Sequence, residues 1–175
     1  TLFLFAYYHP TFSAPKRGIG YKFTLGERRY SSVDELLAAV ISEASSVETL
    51  FVELNPPPVL VFPLTFGREW TYSEYPFLIG KKIVGAENVS TATGDVACYK
   101  IQWRWDSNDD GAWDSVITGV EYVNNRGLIK RTIEIHNVSV STTENPGVIG
   151  YIDFTNEYTV KSFNGSLYPA ALIKE

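Results

Sequence analysis

The chain has 175 residues, of which 45% are hydrophobic and 20% are charged. These values are typical of a folded domain with its own core and argue against a disordered chain. The net charge of −5 argues against nucleic-acid binding, which needs a basic face, and the single cysteine, Cys98, excludes a disulfide framework and a cysteine-based zinc site.

The N-terminal segment opens with an apolar run at residues 3–8. This run predicts a short strand that ends at His9-Pro10, because proline restricts the residue before it and lacks an N–H donor. A second strand is predicted at Tyr21–Leu25. No run approaches the ~20 apolar residues of a membrane span, so no transmembrane segment is expected. Because the sequence starts at Thr1 and contains no methionine, we expect a trimmed or processed form, from which any signal peptide or lipid anchor would already have been removed.

One amphipathic helix is predicted after residue 32. Ser32 and Glu35 have the spacing of a capping box, in which two side chains satisfy free main-chain N–H groups at the helix start. An apolar stripe at helical period follows. It is formed by Val33, Leu36, Leu37, Val40, Ile41 and Ala44.

A proline run divides the chain. After a predicted strand at Leu50–Leu54, the sequence Asn55-Pro56-Pro57-Pro58 interrupts all regular structure, and such a stiff run is typical of a domain boundary. We therefore predict a small N-terminal α/β unit over residues 1–57 and an antiparallel β-sheet domain over residues 58–175.

The second part of the chain has strand periodicity and turn residues but no convincing helical pattern. We expect an antiparallel meander of about seven or eight strands. The predicted strands are Val59–Phe62, Glu69–Ser73, Lys81–Ser90, Val96–Trp105, Val116–Val123, Leu128–His136, Val148–Phe154 and Tyr158–Phe163.

Alternation within these strands predicts one buried face and one wet face. In Val96–Trp105, the odd-numbered positions such as Trp103 are expected in the core, while Cys98 falls on the wet face. Ile129 is expected to share the buried face with Ile133. The aromatic side chains of the sheet are interpreted as core, with a groove for a sugar or lipid chain as the alternative.

The sharpest chemical motif is the acidic loop at residues 106–114. Asp106, Asn108 and Asp110 occupy positions 1, 3 and 5 of a D-x-N-x-D-G pattern, and Asp114 occupies position 9. Calcium takes six to eight oxygen ligands, and alternate side chains in a tight turn point oxygens at one centre. These four side chains and the main-chain carbonyl of Ala112 therefore predict a structural calcium site. The alternative is a polar turn without metal, because Asp, Asn and Gly are turn formers.

The flanks of this loop separate it from an EF-hand. Position 12 is Ile117 rather than glutamate, and strands rather than helices are predicted on both sides. The nine residues instead resemble the D-x-D-x-D-G-x-x-D loops that join two strands in the β-propeller repeats of integrin α-subunits. Asn108 departs from that pattern. The resemblance implies the same ligands: Asp106, Asn108, Asp110, the Ala112 carbonyl and Asp114.

A longer set of spaced motifs covers residues 63–131: Pro63-Leu-x-x-Gly67-x-x-Trp70, Val84-Gly85-x-Glu87, Ala97-Cys-Tyr-Lys-Ile101 and Glu121-Tyr-Val-x-x-x-Gly127-Leu-Ile-Lys130. The set resembles uncharacterised bacterial cell-envelope proteins and lipoproteins whose sheet forms a curved half-barrel, similar to periplasmic lipoprotein carriers. The resemblance implies an extracytoplasmic location, in the periplasm or at the cell surface, and no catalytic residue.

Together these observations predict an α+β fold, mostly antiparallel β, in which a curved half-barrel meander follows one N-terminal helix. The first functional hypothesis is a non-catalytic envelope protein of binding or assembly type, with a structural calcium loop and an apolar ligand or an envelope protein as partner. The second is an interaction module that uses a strand edge or an aromatic face. The third, ranked below both, is a hydrolase with dispersed carboxylates.

Overall fold

The computed structural model describes residues 20–41 and 58–160, together with the backbone of three two-residue strands outside those ranges. These described residues form twelve strands and one helix. In chain order these are β1 Leu2–Phe3, β2 Ala6–Tyr7, β3 Tyr21–Leu25, β4 Arg28–Tyr30, α1 Val33–Val40, β5 Phe51–Val52, β6 Pro58–Leu60, β7 Glu69–Ser73, β8 Leu78–Thr91, β9 Gly94–Asp106, β10 Ile117–Asn124, β11 Gly127–Thr142 and β12 Gly150–Thr159.

Eight of these strands form one antiparallel sheet that does not close into a barrel. The order across the sheet is β4-β3-β11-β10-β9-β8-β7, and β12 pairs with β11. The short pairs β1-β6 and β2-β5 stand apart from it. The predicted α+β fold with a curved, mostly antiparallel sheet is confirmed. The meander from β7 to β12 follows the chain, because each strand pairs with the next one.

Strand β11 is long enough to pair with two partners beyond β10. Its residues 130–140 pair with β12, while Ser139–Thr142 pair with β3. The β3-β4 hairpin then reaches the far end of the sheet, where the Arg28 guanidinium lies 5.2 Å from the Phe77 ring centroid and 5.5 Å from that of Tyr75. One end of the curved sheet is therefore bridged by the hairpin.

Helix α1 begins at the predicted cap. The Glu35 N–H donates to the Ser32 hydroxyl at 3.1 Å, while the Glu35 carboxylate accepts from the Ser31 N–H at 2.7 Å. The reciprocal bond of the capping box thus goes to Ser31 rather than to the cap residue itself. Asp34 and Glu35 also complement the positive end of the helix.

The helix covers one face of the sheet, which we call the inner face. Leu36 and Val40 are fully buried and belong to the same core cluster as Trp105 and Ile135. The Trp105 indole N–H donates to the main-chain carbonyl of Val40 at 2.7 Å. Residues 20–41 therefore contribute two strands and a helix to the sheet and core built by residues 58–160. The predicted division at residue 57 remains a prediction.

Two side chains differ from the prediction, Cys98 in its burial and Ile129 in the face on which it lies. Cys98 is fully buried in a small cluster with Val89 and Ile129 on the opposite, outer face of the sheet. Ile129 was expected on the inner face with Ile133, but the register between β10 and β11 shifts at Tyr122. Such a bulge inserts one residue and reverses the phase of the strand, so the outer face has a small apolar core of its own.

Strand β12 also differs from the prediction. The chain was expected to break between Phe154 and Tyr158, yet Gly150–Thr159 is one continuous strand. Its length follows that of β11, which supplies main-chain partners along nearly the whole of it. Two parts of the predicted elements lie outside the described residues: Ala44 of the helix and residues 161–163 of the last strand.

None of the helices in the described residues is long and apolar enough to cross a membrane.

Candidate functional site

The acidic loop connects β9 to β10 at the end of the sheet that the hairpin bridges. Asp106 is the last residue of β9 and is buried, whereas Asn108 and Asp110 are exposed at the loop tip. Gly111 has a φ of 81°, a left-handed conformation that glycine adopts without the steric cost of a Cβ. Gly111, at position 6 of the motif, therefore makes a sharp turn.

Main-chain N–H groups satisfy the carboxylates of this loop. Both Asp106 oxygens accept bonds, from the N–H groups of Asp110 at 3.2 Å and Gly111 at 2.9 Å. The Asp114 carboxylate accepts from the Ser107 N–H at 2.8 Å. Asp110 accepts from the Ala112 N–H at 2.8 Å, and this bond lowers the pKa of Asp110 below its ordinary value.

The fit of these residues to calcium is therefore partial. Their order along the turn suits a cation, but within residues 20–41 and 58–160 no group of three His, Cys, Asp or Glu side chains is placed to hold a metal ion. Asn108 donates its amide to Asp110 at 2.9 Å, so these two predicted ligands are bonded to each other. The main-chain carbonyl of Ala112 is the fifth predicted ligand.

A tryptophan fastens the loop to the outer face of the sheet. Trp113 lies over Gly80 of β8, where an added Cβ would come within 2.7 Å of its indole. The Arg104 guanidinium of β9 stands 4.7 Å from the Trp113 ring centroid. Only glycine at position 80 leaves room for the Trp113 indole, so the packing of the loop on the sheet depends on Gly80.

A second polar feature lies inside the core and was not predicted. Lys81 on β8 and Glu121 on β10 form an ion pair at 2.9 Å across the inner face, with exposed fractions of 1% and 3%. The Lys81 ammonium also donates to the main-chain carbonyl of Val59 at 3.3 Å. Burial lowers the pKa of Lys81 below its ordinary value, and the Glu121 carboxylate offsets part of that effect.

Aromatic rings complete the surroundings of the Lys81 ammonium. Its nitrogen lies 4.0 Å from the ring centroid of Trp103 and 4.4 Å from that of Tyr72. Cation–π contacts of this kind stabilise a charge in a desolvated site. Because carboxylate, carbonyl and rings surround the amine, and solvent hardly reaches it, its chemistry is that of a structural ion pair rather than of an accessible nucleophile.

A sequence signal for this pair exists in hindsight. Lys81 falls in phase with Ile79 and Ile83 on β8, and Glu121 falls in phase with Ile117 and Val123 on β10. Each of these two strands has one charged residue among its buried apolar positions, and the two charges have opposite signs. This pattern indicates a buried ion pair, because burying a single unpaired charge has a large free-energy cost.

The thiol of Cys98 carries no accessible chemistry. It is fully buried, and burial raises its pKa to about 11. Reactive cysteines need a lowered pKa, so this environment is that of an unreactive thiol.

Exposed apolar side chains of the described residues are concentrated around β12. Five of the ten large hydrophobic residues that are exposed in the described parts of the chain fall between residues 148 and 158. They are Val148, Ile149, Tyr151, Ile152 and Tyr158. β12 pairs with β11 alone among the strands described, so its second edge is unpaired there.

No protein-family model, no curated protein and no solved structure matches the chain.

Proposed function

We propose that the chain is a non-catalytic extracytoplasmic protein of the cell envelope, of binding or assembly type, whose contact surface is β12 with its flanking residues. The observation that carries the proposal is the exposure of Tyr151, Ile152 and Tyr158 along an edge strand ten residues long. Exposed apolar clusters of this kind mark interaction sites in folded proteins. The envelope location rests on the sequence resemblance of residues 63–131.

The other edges of the sheet support the choice of β12. β4 has three residues and β7 has five, and the pairing of β7 with β8 is interrupted by a register shift. Short and irregular edges are how proteins prevent unwanted strand pairing. β12 is the longest of these edge strands, and no proline or lysine interrupts it, although its pairing with β11 also has a register shift between Ile135 and Val138.

Site-specific photo-crosslinking in the native cells tests this proposal. A photoreactive phenylalanine analogue replaces Tyr158, and a matched control places it at Ala92, which is exposed in the turn between β8 and β9. We expect a discrete crosslinked species from position 158 and none from position 92. Equal crosslinking from both positions, or none from position 158, contradicts the proposal.

We further propose that calcium binds the loop at residues 106–114 and has a structural role. The motif spacing and the left-handed Gly111 support it. Calcium would gather the oxygens of Asp106, Asn108, Asp110, Asp114 and the Ala112 carbonyl, and a ligand of the native state raises its stability.

Calorimetric titration of the metal-free protein checks the calcium proposal. We expect one site, a higher melting temperature with calcium, and loss of both in Asp110→Ala. Asp109→Ala is the matched control, since Asp109 at position 4 is not a predicted ligand. If millimolar calcium produces no binding heat and no change in melting temperature, the calcium proposal is wrong and the loop is a polar turn.

A second candidate function is the binding of an apolar ligand at the inner face. Ile152 and Tyr158 are on the side of β12 that continues this face, since they pair with Val138 and Arg131, and both are exposed. A fluorescent apolar probe such as N-phenylnaphthylamine tests it. Saturable binding that Tyr158→Ser weakens, and that Tyr151→Ser on the opposite face does not, favours this function.

A further inference from the structure

The main-chain geometry of β12 defines which groups are free to pair. The Val160 N–H donates to the Ile129 carbonyl at 2.9 Å. Because N–H and C=O groups alternate in direction along a strand, the N–H groups of Asn156 and Tyr158 also face β11. Those of Thr155 and Glu157 face the opposite edge, which pairs with no other strand in the described part of the chain.

The two faces of this edge have different chemistry. Ile152, Phe154 and Tyr158 lie on the inner, apolar side, and Phe154 packs edge-on against Phe23 with ring centroids 6.0 Å apart. On the outer side Asp153 and Glu157 carry exposed carboxylates, with exposed side-chain fractions of 65% and 53%. The edge is thus apolar on one side and acidic on the other.

Both acidic side chains are held in place by bonds to β11. Asp153 accepts from the Asn137 N–H at 2.9 Å, and this bond, with the nearby His136, lowers the pKa of Asp153. Glu157 pairs with Lys130 at 3.2 Å. Each carboxylate remains exposed enough to accept a second cationic partner.

From these observations we infer that β12 binds an extended protein segment with alternating basic and apolar side chains, which adds to the sheet as a further strand. Its main chain pairs with the outward N–H and C=O groups of Thr155 and Glu157. Its basic side chains face Asp153 and Glu157, and its apolar side chains extend the inner face beside Phe154. This inference rests on the proposed function and specifies the partner.

A second copy of the chain fits the edge less well. Pairing of two β12 strands brings two copies of Asp153 and of Glu157, four carboxylates in all, to one seam. Like charges across paired strands are destabilising, and the chain as a whole has a net charge of −5. Charge complementarity therefore favours a basic partner over self-association.

Peptide binding measured by fluorescence anisotropy tests the inference on the intact chain. The probe is a labelled heptapeptide of alternating lysine and valine, compared with threonine–valine and glutamate–valine peptides. We expect saturable binding of the lysine peptide, weakened by salt and by the double variant Asp153→Asn, Glu157→Gln. We expect the glutamate peptide to bind at least about tenfold more weakly, a difference typical of one charge pair or hydrogen bond.

A backbone variant separates strand addition from charge attraction alone. Thr155→Pro removes an N–H that faces the open edge and leaves the bonds to β11, and proline is tolerated on edge strands. We expect about tenfold weaker binding in Thr155→Pro and unchanged binding in Thr155→Ala. If the proline variant fails to fold, N-methylation of alternate amides in the peptide removes the same bonds from the ligand side.

The outcomes distinguish the inference from the proposed function. Equal binding of the lysine and threonine peptides, both lost in Thr155→Pro, keeps β12 as the contact surface but overturns the basic partner. Binding that Thr155→Pro and N-methylation both leave unchanged overturns strand addition. A concentration-dependent dimer that Thr155→Pro abolishes replaces the partner by a second copy, and binding of none of the peptides overturns the inference.

Discussion

At the scale of single residues, Lys81 and Glu121 depend on each other for their burial. The two charges lie on strands that are separated by β9, and the Trp103 ring lies beside the ammonium. Removing one partner leaves the other as an uncompensated buried charge, whereas replacing both with apolar groups removes the desolvation cost as well.

The first prediction concerns this pair. We expect Glu121→Ala to lower the free energy of unfolding by about 3–5 kcal/mol, as is typical when one half of a buried ion pair is removed. The double variant Lys81→Met, Glu121→Leu should recover most of that loss. Denaturant unfolding measures both. A loss below about 1 kcal/mol in the single variant would show that water reaches the pair.

The second prediction is a pH dependence from the outer face. Hydrogen bonds from Lys82 and Arg104 lower the pKa of Glu69 from 4.5 to about 2. A carboxyl with a lowered folded-state pKa stabilises the fold above its unfolded pKa, and this contribution is lost as pH falls from 4.5 towards 2.

Glu69→Gln provides the measurement. At neutral pH the variant should melt at a lower temperature than the native chain, and the difference should vanish near pH 2. The effect should be small and should shrink in salt, because Glu69 is exposed and surface ion pairs are screened. A difference in melting temperature that does not change with pH would contradict the assignment.

Residue placement was predictable only where periodicity is unbroken. Trp103 and Trp105 are buried as the alternation predicts. Ile129 is not on the face where alternation places it, because the register shift at Tyr122 depends on how β10 and β11 pair, and a single strand's sequence does not specify that pairing. Cys98 is on the face where alternation places it, but Val89 and Ile129 bury it there.

At the scale of elements, local signals predict the structure well. Helix α1 begins at the predicted cap residue, Ser32. The strands Tyr21–Leu25 and Glu69–Ser73 begin and end at the predicted residues. β12 was predicted as two pieces because polar residues interrupt its periodicity, and its continuity comes from pairing with β11. Trp113 of the acidic loop packs on Gly80, which is remote from it in sequence. No local sequence pattern therefore indicates this contact.

The third prediction tests that fastening. We expect Gly80→Ala to displace the Trp113 indole from β8, since the added Cβ would meet it at 2.7 Å. The emission of Trp113, obtained by subtracting spectra of Trp113→Phe in each background, should shift to longer wavelength. Gly85→Ala is the control, because a Cβ there meets nothing within 4 Å. An unchanged Trp113 emission in Gly80→Ala would contradict the contact.

At the scale of the whole molecule, the inner face is covered unevenly. Helix α1 and the β3-β4 hairpin pack over the end that contains Trp105 and Phe77, while the other side of the sheet ends in the exposed β12. The curved α+β sheet was predictable from strand spacing and one helical stripe. The open edge was not, because strand order is set by long-range pairing that composition and periodicity leave undetermined.

Residue-resolved amide hydrogen exchange of β12 in the free protein tests directly whether its outer edge is open. If the outer edge of β12 is open, the N–H groups of Thr155 and Glu157 exchange orders of magnitude faster than those of Asn156 and Tyr158, which bond to β11. The lysine–valine peptide should then slow the first pair selectively. Equal protection of all four amides in the free protein would show that another segment covers the edge, and would contradict β12 as the contact surface.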